Sequence, residues 1–249
     1  SSDSYYSILY ANIALTRGWK FAVVHFRGCS GKINLAPRSY HAGDSNEIDW
    51  IIKRFNNHCI RFKSELFAIG ISLGGNVLLK WAGEKSKKTN IFPNKLRAIT
   101  AVAVPLDLQS SSFAINRGLN KYLYANIFLK TMIKKAKAKW QQYPNLFNLQ
   151  KTISSKTILE FDEHYTAPVH MFKSVKEYLV TSSSINYVNE ITIPTLIVNS
   201  QNDPIVPFKK LSNSKINNNF ISLWHPNCGG HAGYVSKKIS NEPSNLIFF

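Results

Sequence analysis

Cysteine is scarce in this chain of 249 residues, and the three that occur, Cys29, Cys59 and Cys228, form no closely spaced pair. Disulfide frameworks use an even set of cysteines and zinc sites use clustered ones, so this pattern argues against both. The sequence also lacks an N-glycosylation sequon, a signal-like segment and any apolar run approaching the length of a membrane span. We therefore expect a reducing, soluble compartment and predict a cytoplasmic location.

Acidic residues are also few: 14 Asp and Glu stand against 31 Lys and Arg, which gives a formal net charge of +17. The lysines are spread along the chain without a helix-turn-helix, zinc-finger or RNA-recognition motif, which argues against specific nucleic-acid binding. Peripheral attraction to an anionic membrane stays open as an alternative to an ordinary solvated basic surface. With 44% hydrophobic residues, the composition is that of a core-rich globular enzyme. The oligomeric state is left open.

Short apolar runs alternate with helical patterns, which indicates βαβ units and a mostly parallel sheet flanked by helices. Strands are predicted at 20–26, 65–71, 96–104, 193–200 and 220–224. Helices are predicted at 5–17 before Gly18, at 47–57 after an Asp44/Glu47 capping box, and from Leu73 onward. Residues 106–190 change to a helical, amphipathic and basic pattern. We predict a single α/β domain over 1–249 that carries a helical cap insertion at about 106–190.

One motif carries most of the functional argument: Gly70-Ile71-Ser72-Leu73-Gly74 matches G-x-S-x-G between a predicted buried strand and a predicted helix. This setting is that of a nucleophile elbow, a sharp turn that raises the serine hydroxyl above the carboxyl edge of the sheet. We expect glycine at the flanking positions because a side chain there would strike a neighbouring strand or helix. The Leu73 N–H is the predicted oxyanion donor. The alternative is a serine that only caps the helix.

A serine nucleophile needs a base and an acid that orients the base, and in this fold class they follow in the order Ser, Asp or Glu, His. Asp203 follows the predicted strand 193–200, and His231 lies beyond the last predicted strand, after two glycines. Asp107 is the alternative acid and His225 the alternative base. We expect His25, inside a predicted strand, to be a hydrogen-bonded core residue. The remaining histidines, His41, His58, His164 and His170, show no metal-ligand spacing.

Several linked stretches are more specific than the serine motif. They are HFRGCSG, RSYHAGD, GISLGGNVLLKW, FDEHYTAP and SQNDPIVP…GGHAGYV. Together they resemble the YheT-like branch of the α/β-hydrolases, which is related to plant embryogenesis-associated hydrolases and yeast medium-chain ethyl-ester synthases/esterases. The resemblance implies the α/β-hydrolase fold and carboxylic-ester hydrolysis, sometimes with acyl transfer to an alcohol, and no cofactor or metal. It makes Ser72 the nucleophile, Asp203 the acid and His231 the base.

Two of these stretches, RSYHAGD and FDEHYTAP, have no assigned chemistry. In RSYHAGD we expect Arg38, His41 and Asp44 to tie a loop to the top of the sheet. Residues 122–140, with apolar residues and lysines at helical spacing, have two interpretations: a lid that touches lipid, or a helix packed on the core with a solvated basic face. Cys29 and Cys228 lie on loops near the predicted site, where either could be an inert small hydrophobic residue.

The resemblance also predicts elements that the sequence does not carry. The family's second oxyanion donor lies on a loop that we expect before Ser1, together with the first three strands of the fold. Loss of the third strand is expected to leave a gap beside the nucleophile strand, and the closing helix of the family has no counterpart in the last residues. We therefore expect an incomplete hydrolase domain.

Two functional hypotheses follow from the sequence. The first is a serine hydrolase that cleaves small-molecule acyl esters of short or medium chain length through an acyl-enzyme. The alternative is a catalytically silent remnant of such an esterase that offers at most a surface for a lipid or a partner. The expected lack of the second oxyanion donor separates them, because losing one donor typically costs about 10²–10³ in rate.

Overall fold

The computed structural model describes residues 2–212 and 216–234. Its strands are β1 (Leu66–Ile71), β2 (Leu96–Val102), β3 (Thr195–Val198) and β4 (Ile221–Trp224). Its α-helices are α1 (Tyr5–Thr16), α2 (Ser45–Arg61), α3 (Leu73–Lys88), α4 (Leu108–Ile115), α5 (Gly118–Asn120), α6 (Asn126–Gln142), α7 (Leu149–Ile153), α8 (Ile158–Phe161), α9 (Ala167–Val169), α10 (Val175–Ser182) and α11 (Phe208–Ser212). Lys121–Ala125 and Asp162–Thr166 are π-helices, and Ser184–Asn186 and Val188–Glu190 are 3₁₀ turns.

The strands form one parallel sheet in the order β1-β2-β3-β4. The register places Val102 beside Val198, and Val198 beside Trp224. Because parallel strands end at the same edge, the residues that follow β1, β3 and β4 come together there. The four strands predicted from 65 onward are confirmed, and this shared edge positions the candidate site.

Helix α3 lies against β1 and β2 and forms the centre of the core. Leu79 of this helix and Ile99 and Ile197 of the sheet are almost completely buried in one cluster. Burial of each such side chain contributes about 1.5–3 kcal/mol. On the same helix, the buried Asn76 side chain donates to the carbonyls of Ala42 and Ser182 and accepts from the Ser184 N–H. Asn76 thus holds two loops at the start of α3.

The strand predicted at 20–26 is wrong: residues 19–26 form no strand in the described structure. A strand requires a neighbour that satisfies its backbone groups, and among the residues that the structure describes β1 pairs only with β2. A cavity of about 2110 Å³ is lined both by residues 20–26 and by β1. The gap expected beside the nucleophile strand is therefore present, and it separates this apolar segment from the sheet.

The region predicted as a cap is helical from α4 to the turn Val188–Glu190. Its own apolar cluster contains Leu129, Phe147 and Phe161. The division of the chain into a core and a cap stays a prediction. Among the described residues, no helix is both long and apolar enough to cross a bilayer. The expectation about a closing helix concerns residues 235–249, which lie outside the described residues.

Candidate active site

Ser72 occupies a strained turn between β1 and α3. Its backbone angles are φ 52° and ψ −121°, a conformation that residues with a side chain rarely adopt. The Ser72 N–H donates to the Val102 carbonyl at 2.8 Å, and the Gly75 and Asn76 N–H groups donate to the Ser72 carbonyl. These contacts to β2 and to the first turn of α3 stabilise the turn. The geometry is that of a nucleophile elbow, and Ser72 makes no side-chain capping bond to α3.

Two glycines around Ser72 are needed for close approach, but only one of them is at a position we predicted. A Cβ at Gly70 would lie 2.6 Å from the Gly74 carbonyl oxygen, and a Cβ at Gly75 would lie 2.5 Å from Val104 Cγ2. At Gly74 the nearest atom would be Phe26 Cζ at 3.9 Å, which is ordinary contact. The prediction is therefore confirmed for Gly70 and wrong for Gly74. Gly75 is the second position without room for a side chain.

Asp203 lies in the loop after β3, and its carboxylate is fixed on both oxygens. Oδ1 accepts from the N–H groups of Ile205 and Val206 at 2.8 and 3.0 Å, while Oδ2 faces His231. The side chain is fully buried. A buried carboxylate is tolerated where hydrogen bonds replace its water, and here two backbone donors and an imidazole do so.

The loop after β4 presents His231. Gly230 has a φ of 52°, and a Cβ at Gly229 would lie 2.4 Å from the Tyr234 ring. The Asn202 side-chain oxygen accepts from the N–H groups of both glycines at 3.0 and 2.9 Å, and the Ser200 hydroxyl donates to the Gly230 carbonyl. The loop is thus held against the end of β3, next to Asp203.

The three predicted side chains meet at the carboxyl edge of the sheet. His231 Nδ1 lies 2.8 Å from Asp203 Oδ2, and His231 Nε2 lies 2.9 Å from Ser72 Oγ. Because the carboxylate accepts from Nδ1–H, Nε2 is left to accept the serine proton. Such an arrangement can activate a hydroxyl for attack on a carbonyl carbon.

The alternative residues lie elsewhere and have other partners. Asp107 caps α4, where its carboxylate accepts from the Gln109 and Ser110 N–H groups. His225 Nδ1 lies 3.1 Å from the Asn199 carbonyl oxygen. His25 lies outside any strand, and its Nδ1 lies 3.1 Å from the Cys29 carbonyl oxygen. None of the three has a hydrogen bond to Ser72 or His231 within the described structure.

Ser72 and His231 both open onto the large cavity. Leu73 is the first residue of α3, and its N–H makes no hydrogen bond within the part of the chain that the structure describes. Helix N-termini leave such donors free and favour a nearby anion. The site therefore contains a free backbone donor next to the serine, and its role as an oxyanion donor stays a prediction.

Arg38, His41 and Asp44 hold the RSYHAGD loop through contacts to the start of α2 and to His170, whereas we expected contacts to the top of the sheet. Arg38 Nη2 lies 2.6 Å from Asp44 Oδ2, and the other Asp44 oxygen accepts from the Glu47 N–H at the start of α2. His41 packs against His170 with ring centroids 4.4 Å apart. Burial lowers the pKa of His41 to about 4 and that of His170 to about 3, so both rings are neutral near pH 7.

Sequence reasoning missed several residues of this region. Asn202 and Ser200 position the His231 loop, and the polar run NSQND after β3 is the signal that could have indicated them. Asp162 lines the cavity, and burial raises its pKa to about 7. Lys139 of α6 is completely buried and donates to the Asn34 and Ala36 carbonyls at 2.7 and 2.8 Å. Its spacing among other lysines gave no sign of this burial.

The fold is similar to that of a solved structure. A solved esterase from Pyrococcus furiosus superposes with a TM-score of 0.52 at 14% identity, covering 93% of this chain and 69% of that chain. No family model matches the sequence. The chain has the α/β-hydrolase fold: a parallel sheet flanked by helices, with an elbow serine at its carboxyl edge.

Curated relatives confirm the resemblance to the YheT-like branch. The proposed esterase YheT of Escherichia coli is 29% identical and aligns with 94% of this chain and 67% of its own length. An embryogenesis-associated protein of Picea glauca is 26% identical over 95% of this chain and 51% of its own. A medium-chain fatty acid ethyl ester synthase/esterase of Saccharomyces cerevisiae is 28% identical over 90% of this chain and 53% of its own. The chain thus spans about two thirds of YheT and about half of the other two. These relatives support a hydrolase of the α/β-hydrolase class.

Proposed function

We propose that the protein is a serine carboxylesterase that cleaves acyl esters of short or medium chain length through a covalent acyl-enzyme. The observation that carries the proposal is the position of His231, within hydrogen-bond distance of both Ser72 Oγ and Asp203 Oδ2. In the proposal Ser72 is the nucleophile, His231 the general base and Asp203 the group that orients it. Peripheral contact with an anionic lipid surface is part of the same proposal.

In the first half-reaction, Ser72 Oγ attacks the carbonyl carbon of the ester while its proton passes to His231 Nε2. The negative charge that develops on the carbonyl oxygen is stabilised by the Leu73 N–H and the N-terminal dipole of α3. Asp203, fixed by two backbone donors, stabilises the imidazolium. His231 then protonates the leaving alkoxide, and the alcohol departs from an acyl-serine.

In the second half-reaction, His231 takes a proton from an incoming hydroxyl, whose oxygen attacks the acyl carbon. The bond from that carbon to Ser72 Oγ then breaks, and His231 returns the proton to Ser72 Oγ. Water as the acceptor gives the carboxylic acid and completes hydrolysis, whereas an alcohol as the acceptor gives a new ester. The yeast relative is named as both a synthase and an esterase of ethyl esters, which supports both outcomes for this chain. The cavity is lined mostly by apolar side chains, which favours an apolar acyl group.

Hydrolysis of nitrophenyl butyrate and octanoate by the purified chain tests the proposal. Replacing Ser72 with Ala is expected to lower kcat by about 10³-fold or more, because the nucleophile is lost. Ser154→Ala is the control, since this exposed hydroxyl donates only to the nearby Lys151 carbonyl. Undiminished hydrolysis in Ser72→Ala, or an equal loss in both variants, would contradict the assignment.

A further inference from the structure

A group of large apolar side chains lies exposed around the start of α6. We define this apolar patch as Leu119, Tyr122, Leu123, Ile127 and Phe128. Leu119 is 76% exposed, Tyr122 69% and Ile127 60%. Single exposed apolar residues are common on protein surfaces, but five within ten positions of consecutive helical segments are not explained by chance exposure. Such a surface needs a partner that accepts apolar side chains.

Basic residues continue the exposed stripe along α6. Lys130, Lys134 and Lys137 follow Ile127 at steps of three and four residues, which places all four side chains on one side of the helix. The three lysines are exposed, and none forms an ion pair among the described residues. No Asp or Glu occurs between Asp107 and Glu160. The region is therefore uniformly positive, and it attracts a surface that is negative outside and apolar beneath.

The patch adjoins the cavity that contains the serine. Ile127, Phe128 and Thr131 line this cavity, as do Ser72 and His231. Ile127 and Phe128 are also 60% and 45% exposed, so these side chains belong both to the outer surface and to the cavity wall. A molecule that leaves an apolar phase at the patch reaches the cavity without crossing open water.

We propose that the apolar patch and the α6 lysines form a docking surface for anionic membranes, through which the enzyme takes its ester from the bilayer. The proposal rests on the proposed esterase function and names its substrate class, an ester of a membrane-resident lipid. The apolar side chains insert at the level of the acyl chains, and the lysines lie over anionic headgroups. This resolves the two interpretations of residues 122–140 in favour of lipid contact for the first turns of α6, while buried Lys139 anchors the last turn.

Co-sedimentation with lipid vesicles tests the docking surface without any need for catalysis. We expect the chain to bind vesicles of phosphatidylcholine with phosphatidylglycerol, and to bind pure phosphatidylcholine much more weakly. Replacing Leu123 and Ile127 with Ser is expected to weaken binding about tenfold or more, since two side chains no longer leave water. The matched control is Leu15→Ser with Ile91→Ser, which removes two apolar side chains that are at least as exposed from other surfaces.

Charge variants test the lysines separately. Lys130→Gln with Lys134→Gln is expected to weaken binding to the anionic vesicles about tenfold to thirtyfold, from about one kcal/mol per lysine. Lys87→Gln with Lys88→Gln changes the net charge equally on exposed lysines at the end of α3. Equal losses in both pairs would show that only the overall charge matters and would overturn the proposed surface. Concentration-dependent dimerisation through Leu123 and Ile127, without vesicle binding, would overturn it in favour of a second copy.

Activity assays separate this inference from the function on which it rests. Leu119→Ser with Leu123→Ser, two patch positions that do not line the cavity, is expected to keep kcat and KM on a dissolved butyrate ester and to lose about tenfold in kcat/KM on an ester embedded in anionic vesicles. Ser72→Ala is expected to bind vesicles as the wild type does. Hydrolysis without vesicle binding would refute only the docking surface, and vesicle binding without any hydrolysis would refute only the esterase.

Discussion

At the scale of single residues, several short-range contacts hold each side chain of the candidate site in place. Ser72 keeps a positive φ because β2 and α3 both bond to its backbone, and Asp203 keeps a buried charge because backbone donors face it. These details follow from residue chemistry, and the sequence allowed the three side chains to be predicted from their order. What it could not show was which glycine lacks room, because this depends on how α3 approaches β2.

The glycines give a test of that packing. Gly70→Ala is expected to destabilise the fold by several kcal/mol, since its Cβ would meet the Gly74 backbone at 2.6 Å. Gly74→Ala is expected to be neutral or stabilising by up to about 1 kcal/mol, because the site is open and alanine favours a helix. Urea unfolding measures both. Equal destabilisation by the two substitutions would show that the elbow packs differently.

Asp162 predicts a pH dependence of stability. Burial raises its pKa from 3.8 to about 7, so the folded chain holds a proton that the unfolded chain has already lost between those values. The free energy of unfolding therefore falls as pH rises through this window, by up to about 4 kcal/mol for this group. Asp162→Asn removes the effect. As pH rises from about 5 to about 8, the free energy of unfolding of the variant is expected to increase relative to that of the wild type. A difference that stays constant with pH would contradict the shifted pKa.

At the scale of elements, the pattern of apolar runs identified strands correctly wherever a strand had a neighbour. Residues 20–26 have the same apolar character as β1 but form no strand, since no described strand lies beside them. Helix α6 shows the converse limit. Helical spacing predicted its existence, yet it could not show that Lys139 points inward while Lys134 points to solvent. Both outcomes depend on contacts made by distant parts of the chain.

Lys139 is expected to hold α6 to the loop around Asn34. Lys139→Met removes the donor to the Asn34 carbonyl and one of two donors to the Ala36 carbonyl, which keeps the Asn34 amide, and it is expected to lower the free energy of unfolding by about 1–3 kcal/mol. Lys134→Met, at an exposed position five residues earlier on the same helix, is the control and is expected to change the free energy of unfolding by less than about 0.5 kcal/mol. Thermal or urea unfolding distinguishes them. A Lys139→Met variant as stable as the control would contradict the proposed anchoring.

The loop that carries His231 is expected to depend on Asn202. Replacing Asn202 with Ala removes the acceptor of two backbone N–H groups, so the imidazole loses its fixed position. We expect kcat to fall about tenfold to a hundredfold with KM little changed, because misplaced catalytic groups slow the chemical step. Asn227→Ala, which removes a contact to the Gln201 side chain in the same loop, is the control. Equal kinetics in the two variants would show that Asn202 does not position His231.

At the scale of the whole molecule, the parallel sheet brings three distant sequence positions to one edge, and the cavity gives that edge an apolar approach. The fold class and the positions of β1 to β4 along the chain followed from the sequence, because periodicity and chain order are local signals. The size of the cavity and the exposure of the patch did not, since both depend on how all elements pack. The composition shows the net positive charge, but only the structure shows that the lysines of α6 lie beside the apolar patch.

The central claim is that Ser72 is activated for attack on an acyl group, and one labelling measurement tests it most directly. The purified chain is treated with a fluorophosphonate probe, and the modified residue is mapped by mass spectrometry. We predict covalent labelling at Ser72, lost in His231→Ala and absent in Ser72→Ala. An unlabelled Ser72 in the folded chain, or labelling at another serine, would contradict the assignment.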